Sequence, residues 1–549
     1  MSRTVIEYVI SRLHQEGARD VFGVAGDYAF PVADAVCAEA GMRWVGCCNE
    51  LNAACAADGY SRLNGFSVLS TTYGVGELSA LNGIAGAFAE NVAVFHIVGM
   101  PDTHIQKSDK LVHHTTGCHN FEVFCQAASP FVCAHAILTA DNVVEEIERL
   151  LSAMIAHRRP VYLGVPADVA VQRMDKDLPP PCDRKNPSGN KDNLKSAIDM
   201  ILDMVRGSRK ICMLPGILAA RYGVREKLKR LVVDKNIPFA TMFMDKGVLD
   251  ETLPEYIGMY NGRLMNPEVR EYVESCDCIL GIGVRMSDAN TGNFTADIRR
   301  EQFINIMPDH VYVGGKEYFD TDMEDILDAL AESLPSCSKK DRPDFILKPL
   351  TPDFDENDYI HSDFLYSRIQ MMLREGDTVI TETGNSSLGL AFIRLPDNVS
   401  YLSQPLWGAI GWATPASFGA AMARPEKRTV LVTGEGAHQL TAQEICQFYR
   451  FGLKPVIFVI NNDGYLIERF LCRDGEACYN DIAGWNYSLL PEALGCKDWL
   501  VQRVATCGQL NEAIARIEET ASAAYIEVLT GRYDAAGLTR RLHASVMEK

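Results

Sequence analysis

RTVLVTGEGAHQLTAQEICQFYRFGLKPVIFVINNDGYLIE, residues 428–468, is the stretch whose reading decides the fold. An apolar, β-branched run at 429–433 predicts a strand. Gly434-Glu435-Gly436 follows as a tight turn, 439–451 has the pattern of a helix, and 456–460 predicts the next strand. Asn461-Asn462-Asp463-Gly464 then falls at that strand's C-terminal end. A right-handed β-α-β unit makes the two strands parallel and places both loops on one edge of the sheet, where α/β proteins bind ligands. That edge offers the Glu435 carboxylate, the Asn462 amide oxygen and backbone carbonyls such as that of Gly464. These are hard oxygen donors, suited to Mg²⁺ shared with phosphate oxygens. The helix N-terminus after Gly436 adds N–H groups aimed at an anion.

The same alternation extends outward. Strands are expected at 21–24, 44–48, 67–72, 92–98 and 161–165, then at 211–214 and 278–282, then at 378–381 and 524–528. Proline-rich or polar breaks at 179–189 and 335–358 divide the chain. The reading is α/β, with three doubly wound parallel-sheet domains at 1–178, 190–340 and 356–549. A chain of 549 residues fits three or four domains. A formal charge of −19 argues against nucleic acid as a partner. No 18-residue stretch is apolar enough for a membrane, and the N-terminus has the pattern of an amphipathic helix rather than a signal peptide. The 17 cysteines are scattered with no CxxC spacing, so reduced thiols and a cytoplasmic location are expected.

Five further segments carry a family likeness: GVAGDYAF (23–30), NELNAACAADGYSR (49–62), LVHHTTG (111–117), QPLWGAIGWATPASFGAA (404–421) and NNDGYLIERF (461–470). With GEG…NN they resemble the thiamine diphosphate-dependent 2-oxo acid decarboxylases, the branch of pyruvate decarboxylase and indolepyruvate/phenylpyruvate decarboxylase. The family places Asp where this chain has Glu435, one methylene longer. The resemblance implies pyrimidine-binding, middle and diphosphate-binding domains, with thiamine diphosphate and Mg²⁺ as cofactors. It also implies a homodimer with its active sites at the interface, paired into a dimer of dimers.

It further implies residue roles. Glu50 would protonate the aminopyrimidine ring, with the cofactor supplying the carbon nucleophile. Asp27, His113, His114 and Glu468 would form the proton relay over the cofactor, histidine exchanging protons near neutral pH. Ile410 would prop the cofactor in its bent shape, with the Gly408 carbonyl on the aminopyrimidine. Thr383, Ala409, Gly434, Gly436, Ala437, Asn462, Gly464, Tyr465 and Ile467 complete the cofactor site, and Glu435, Asn462 and Gly464 the metal site. For the substrate, Ala289, Ser386 and Ser387 are small where pyruvate enzymes tend to be bulky, Asn385 stands where Thr or Asp is usual, and Ile467 joins them in the pocket. An aromatic or long-chain 2-oxo acid is therefore expected, decarboxylated without oxidation to an aldehyde and CO₂. Pyruvate decarboxylase and a carboligase of the acetohydroxyacid synthase type are the alternatives. A dinucleotide oxidoreductase has only the GxG of LGIGVRMSD (280–288) behind it.

Overall fold

The computed structural model describes residues 3–182, 189–338, 343, 345 and 352–547. The first domain holds six strands in the order Arg43–Gly46, Asp20–Gly23, Ser67–Thr72, Val94–Met100, Val161–Pro166, Ala134–Ile137, all parallel. The strand side-chain period of two sends alternate residues to opposite faces. Val21 and Val68 enter one apolar core with the helices Val5–Gln15 and Val143–His157. Phe22 and Leu69 enter another with Glu50–Asn64 and Val75–Ala89. Helices on both faces explain why these strands read as nearly continuous apolar runs.

The third domain repeats the layout. Its parallel strands run Ser400–Leu402, Thr378–Thr381, Thr429–Gly434, Val456–Asn461, Ala524–Leu529, Leu500–Val504. The strands of the opening stretch are direct neighbours, Val430 opposite Val456. The glycine turn is tighter than expected: Gly434 is the last strand residue and Glu435 the first of the helix Glu435–Thr441. The expected single helix is two. Thr441 leaves helical geometry at φ −143°, its hydroxyl donates to the Gly411 carbonyl (2.7 Å), and a second helix, Ile445–Arg450, resumes after a 3₁₀ turn.

The middle sheet is mixed rather than wholly parallel. Tyr256–Met259, Phe239–Thr241, Ile211–Pro215, Cys278–Ile282 and Phe303–Ile306 are parallel, and His310–Val313 with Lys316–Phe319 adds an antiparallel hairpin at one edge. The break at 179–189 is fastened where it begins: Gln15 and Arg12 donate to the carbonyls of Pro179 and Pro180, and Glu16 accepts from Cys182 N. Its residues 183–188, and most of 339–351 in the second break, lie outside the described residues.

One crossing joins the first and third domains. The helix Glu50–Asn64 packs on Ala413–Ala423, backbone to backbone. A Cβ on Gly59 would lie 2.1 Å from the Ala416 carbonyl oxygen, and one on Gly419 1.8 Å from that of Ala56. Only glycine permits this approach from both sides. Arg62 seals the seam, donating to Asp58 and to the Ser403 carbonyl (2.6 Å each) with its guanidinium over the Trp412 ring.

Candidate active site

The C-terminal edge of the first sheet carries a cluster of proton-bearing groups. Asp27 lies in the turn after the strand Asp20–Gly23, and its carboxylate is 2.7 Å from His113 Nε2 and 3.9 Å from His114 Nε2. Tyr28 stacks on His113 with ring centroids 4.8 Å apart. His114 is held at φ +64°, uncommon for a side-chain-bearing residue. Its carbonyl oxygen lies 2.2 Å from where a Cβ on Gly74 would sit, so glycine there lets the histidine loop close on the helix Val75–Ala89. Asp27 and both histidines keep water access, which suits proton exchange.

Glu50 is the first residue of its helix, which Asn49 caps by accepting from Asn52 N (2.8 Å). Its carboxylate lies over Gly76, 3.2 Å from a Cβ placed there. Behind it the buried Glu77 accepts from Gly74 N (2.8 Å) and the Tyr162 hydroxyl (2.9 Å), and burial pushes its pKa up to about 7.

On the corresponding edge of the third sheet, Glu435 and Asn462 are closed to water. Glu435 is 1 % exposed. Its Oε1 accepts from Asn462 N (3.0 Å) and Gly464 N (2.9 Å), and burial pushes its pKa up to about 7. Asn462 Oδ1 is buried without a hydrogen-bond partner. A buried orphan acceptor beside a buried carboxyl is costly in isolation and is relieved by a cation. The residues present therefore fit a divalent metal. Gly436 and Ala437, in the first turn of the helix that Glu435 opens, fit the anionic group such a metal would accompany. Buried Arg469 braces the loop from behind, donating to the Asp463 carbonyl (2.6 Å) and pairing with Asp481.

Beside this edge opens a cleft of 280 Å³. Thr383, Ser387, Gly408, Ile410, Ile467 and Glu468 line it. Ala409 joins Ile410 on a smaller neighbouring hollow that reaches Leu51 and Cys55 of the first domain. Tyr465 donates its N–H to the Asn480 carbonyl (2.9 Å), holding the start of the helix that carries Glu468.

Other expected pocket residues stand back from the cleft. Asn385 turns its Oδ1 to Ala536 N (2.9 Å) and the Thr539 hydroxyl (2.8 Å), tying the helix Gly537–Met547 to the site. Ser386 is buried and Ala289 does not line the cleft; the Ala289 carbonyl accepts from Asn261. The segment around Ala289 acts one layer behind. Asn290 donates to Asp245 (3.0 Å) and accepts from Met244 N (2.7 Å), fixing the turn that presents Phe243 to the cleft. Phe243 and the C-terminal-helix residue Leu542 escape sequence reading because neither sits in a motif. Arg469, within ERF, could have been found as a cation beside the metal loop. In this chain the cleft lining includes Glu468 but none of Asp27, Glu50, His113 or His114.

Comparison with known proteins gives the family of the chain. The thiamine pyrophosphate enzyme N-terminal TPP binding domain matches residues 3–122, the central domain 198–330 and the C-terminal TPP binding domain 382–528. Pyruvate decarboxylase isozyme 1 of Saccharomyces cerevisiae is 38% identical over 514 residues, 92% of this chain and 91% of the relative. The pyruvate decarboxylase of Candida glabrata matches to the same extent. An alpha-keto-acid decarboxylase of Mycobacterium leprae is 37% identical over 546 residues, 98% of this chain and 95% of the relative. Three matched domains and relatives aligned over nearly the whole length establish that the chain belongs to the thiamine diphosphate-dependent 2-oxo acid decarboxylases.

Proposed function

We propose that the preferred substrate is a 2-oxo acid with an aromatic or long aliphatic side chain, such as indolepyruvate or phenylpyruvate. The observation that carries this reading is the wall of the cleft. Phe243, Leu388, Ile467, Leu471 and Leu542 make it apolar, and Ser387 leaves room beside them. Each buried methylene contributes about 0.8 kcal/mol, so the wall favours a bulky apolar substituent over a methyl group. Pyruvate is the second reading, favoured by the names of the yeast relatives and by an aromatic ring, Phe243, already in the cleft.

Thiamine diphosphate, when bound, supplies the nucleophilic carbon and the electron sink. Glu50 holds a proton for the pyrimidine ring. Asp27, His113, His114 and Glu468 carry protons to and from the substrate carbon and carboxylate side. Glu435, Asn462 and the Gly464 carbonyl would hold Mg²⁺, and Gly436 and Ala437 at the helix start would receive the diphosphate. Gly434 and Tyr465 shape the loops on either side, Thr383, Gly408 and Ala409 would border the pyrimidine, and Ile410 would support the cofactor from beneath.

Each site is completed by a second copy of the chain. Support comes from the absence of the first-domain acids and histidines from the cleft of their own chain, and from the exposed apolar Val75 and Leu78 flanking the Gly76 over which Glu50 sits. The assembly is a homodimer, paired into a dimer of dimers. The 17 cysteines are all free thiols, which fits a cytoplasmic location. No described helix is long and apolar enough to cross a membrane. Aldehyde release from a panel of 2-oxo acids, with thiamine diphosphate and Mg²⁺ added, tests the substrate. The expected kcat/KM for phenylpyruvate or indolepyruvate exceeds that for pyruvate by about 10-fold or more. Equal or better use of pyruvate overturns the aromatic preference.

A further inference from the structure

The seam between the first and third domains holds two thiols from opposite sides. Cys48 lies in the short loop between the strand Arg43–Gly46 and the helix that Glu50 opens. Cys446 lies in the first turn of the helix Ile445–Arg450. Their Sγ atoms are 3.7 Å apart, although 398 positions separate them in the chain. The loop has little freedom to move them apart. Glu444 accepts from Cys48 N (3.1 Å) and from the Asn52 side chain (2.7 Å), so one buried carboxylate fastens both ends of the Cys48 turn to the third domain. The Cys48 thiol is placed by the Gln443 carbonyl (3.5 Å) and the Gln447 side chain (3.6 Å). Cys48 is exposed and Cys446 half-buried, so a small solute reaches the pair.

We propose that Cys48 and Cys446 form a redox-active dithiol, a site of reversible oxidation by hydroperoxides that bridges the two cofactor-binding domains. The pair is chemically asymmetric. The hydrogen bond between the two thiols holds the Cys446 thiol below its ordinary pKa, and Arg450 adds to this. Burial, Glu444 and Cys496 oppose it. Cys48 is pushed up by that hydrogen bond, by burial and by Glu444. Cys446 is therefore the nucleophile and Cys48 the resolving thiol. In the first step the Cys446 thiolate attacks one peroxide oxygen, the O–O bond breaks, and the hydroxide released takes up a proton to leave as water. Cys446 is then a sulfenic acid. In the second step the sulfur of Cys48 attacks the sulfenic sulfur, the S–O bond breaks, and the departing hydroxide takes the Cys48 proton as a second water. Two thiols lose two electrons and one hydroperoxide gains them. Closing from 3.7 Å to a bond of about 2 Å requires a small rotation of each side chain.

The test uses the intact protein and hydrogen peroxide. After oxidation, alkylation and digestion without reductant, mass spectrometry should find the peptides of Cys48 and Cys446 joined, and dithiothreitol should separate them. Exposed Cys37 serves as the internal control: Cys446 should lose its free thiol about tenfold faster or more. Cys48→Ser should leave Cys446 as a sulfenic acid that dimedone traps, and Cys446→Ser should abolish the linkage while Cys48 stays a thiol. Joined peptides with this division of roles support the proposal. Oxidation of Cys446 no faster than Cys37, or direct passage to sulfinic acid without linkage in the wild-type chain, overturns it.

Discussion

The first and third domains share one strand order, the second strand of each lying outside the first and the sixth lying between the fourth and the fifth, which forms the far edge. Yet the two C-terminal sheet edges carry opposite chemistry. The first-domain edge presents Asp27, His113 and His114 to solvent, ready to exchange protons. The third-domain edge buries Glu435 and Asn462, a carboxyl beside an amide oxygen that has no hydrogen-bond partner. The scaffold decides where loops converge, and burial decides what the loop residues can do there. A proton relay needs water on at least one side; an ion cage gains from its exclusion.

The largest expected effects come from removing the acid on either edge. Glu50→Gln should keep the melting temperature and lose about 10²–10⁴-fold in turnover, since an amide cannot supply the ring proton. Near-normal turnover would remove Glu50 from its role. Glu435→Ala should abolish Mg²⁺-dependent activity, and Glu435→Asp should retain activity with altered Mg²⁺ dependence. Titrating activity with Mg²⁺ checks both, and a wild-type Mg²⁺ curve for the alanine variant would exclude Glu435 as a ligand.

The burial of Glu435 also sets a pH signature. Its pKa is raised from 4.5 to about 7 by burial, so the folded state holds the proton longer than the unfolded one. The stability this group contributes is complete below its unfolded pKa and is lost as pH rises through about 7. Mg²⁺ with thiamine diphosphate requires the ionised carboxylate, so their stabilisation should grow over the same rise in pH. Melting curves with and without both cofactors measure this, and Glu435→Gln should flatten the apo-protein slope. Glu77 and Glu382, also pushed up to about 7, stay in the variant, so the difference isolates Glu435. An unchanged slope would mean that the carboxyl is already ionised in the apo fold.

Legibility in the sequence followed the same division between backbone and contact. The strands 429–433 and 456–460 were readable because a sheet covered on both faces demands unbroken apolar runs. The edge strands Ala134–Ile137 and Leu500–Val504 were not, being short and partly exposed. The shared strand order of the two sheets is one of topology and not of residues, so the sequence shows no repeat. Loop motifs disclosed Glu50, Asp27, the histidines, Glu435 and Asn462. The walls of the cleft were another matter. Phe243 and Leu542 reach it from a different domain and from the C-terminal helix, which no local spacing reports. Asn385, although adjacent to the cleft in sequence, spends its side chain on Ala536 and Thr539.

The cleft gives the intermediate effect. Ser387→Phe should lower kcat/KM for phenylpyruvate about 10–200-fold more than for pyruvate, because it fills the space that the larger side chain needs. Ala289→Phe should leave the ratio of the two substrates nearly unchanged, since Ala289 stands behind the Phe243 turn rather than on the wall. Equal loss with both substrates for Ser387→Phe would move the pocket elsewhere.

The smallest effect asks whether the two edges that meet at one cofactor belong to one chain. Glu50 lies on the first-domain edge, and Glu468 lines the cleft of the third. Co-express Glu50→Gln and Glu468→Gln chains with distinguishable tags, each variant being inactive alone. If two copies share each site, a mixed dimer has one site with both lesions and one with neither. Random mixing makes half of the dimers mixed, so about one quarter of all sites are intact by symmetry. The unfractionated mixture should recover up to about that fraction of wild-type activity, less where the two sites of a dimer are coupled. If instead each site were built within one chain, every site would keep one lesion and activity would stay at the level of the parents. The decisive sample is the mixed dimer purified through both tags and shown to bind thiamine diphosphate. Half the wild-type activity per dimer in that sample assigns the two edges of a site to two chains, and activity no higher than either parent assigns them to one.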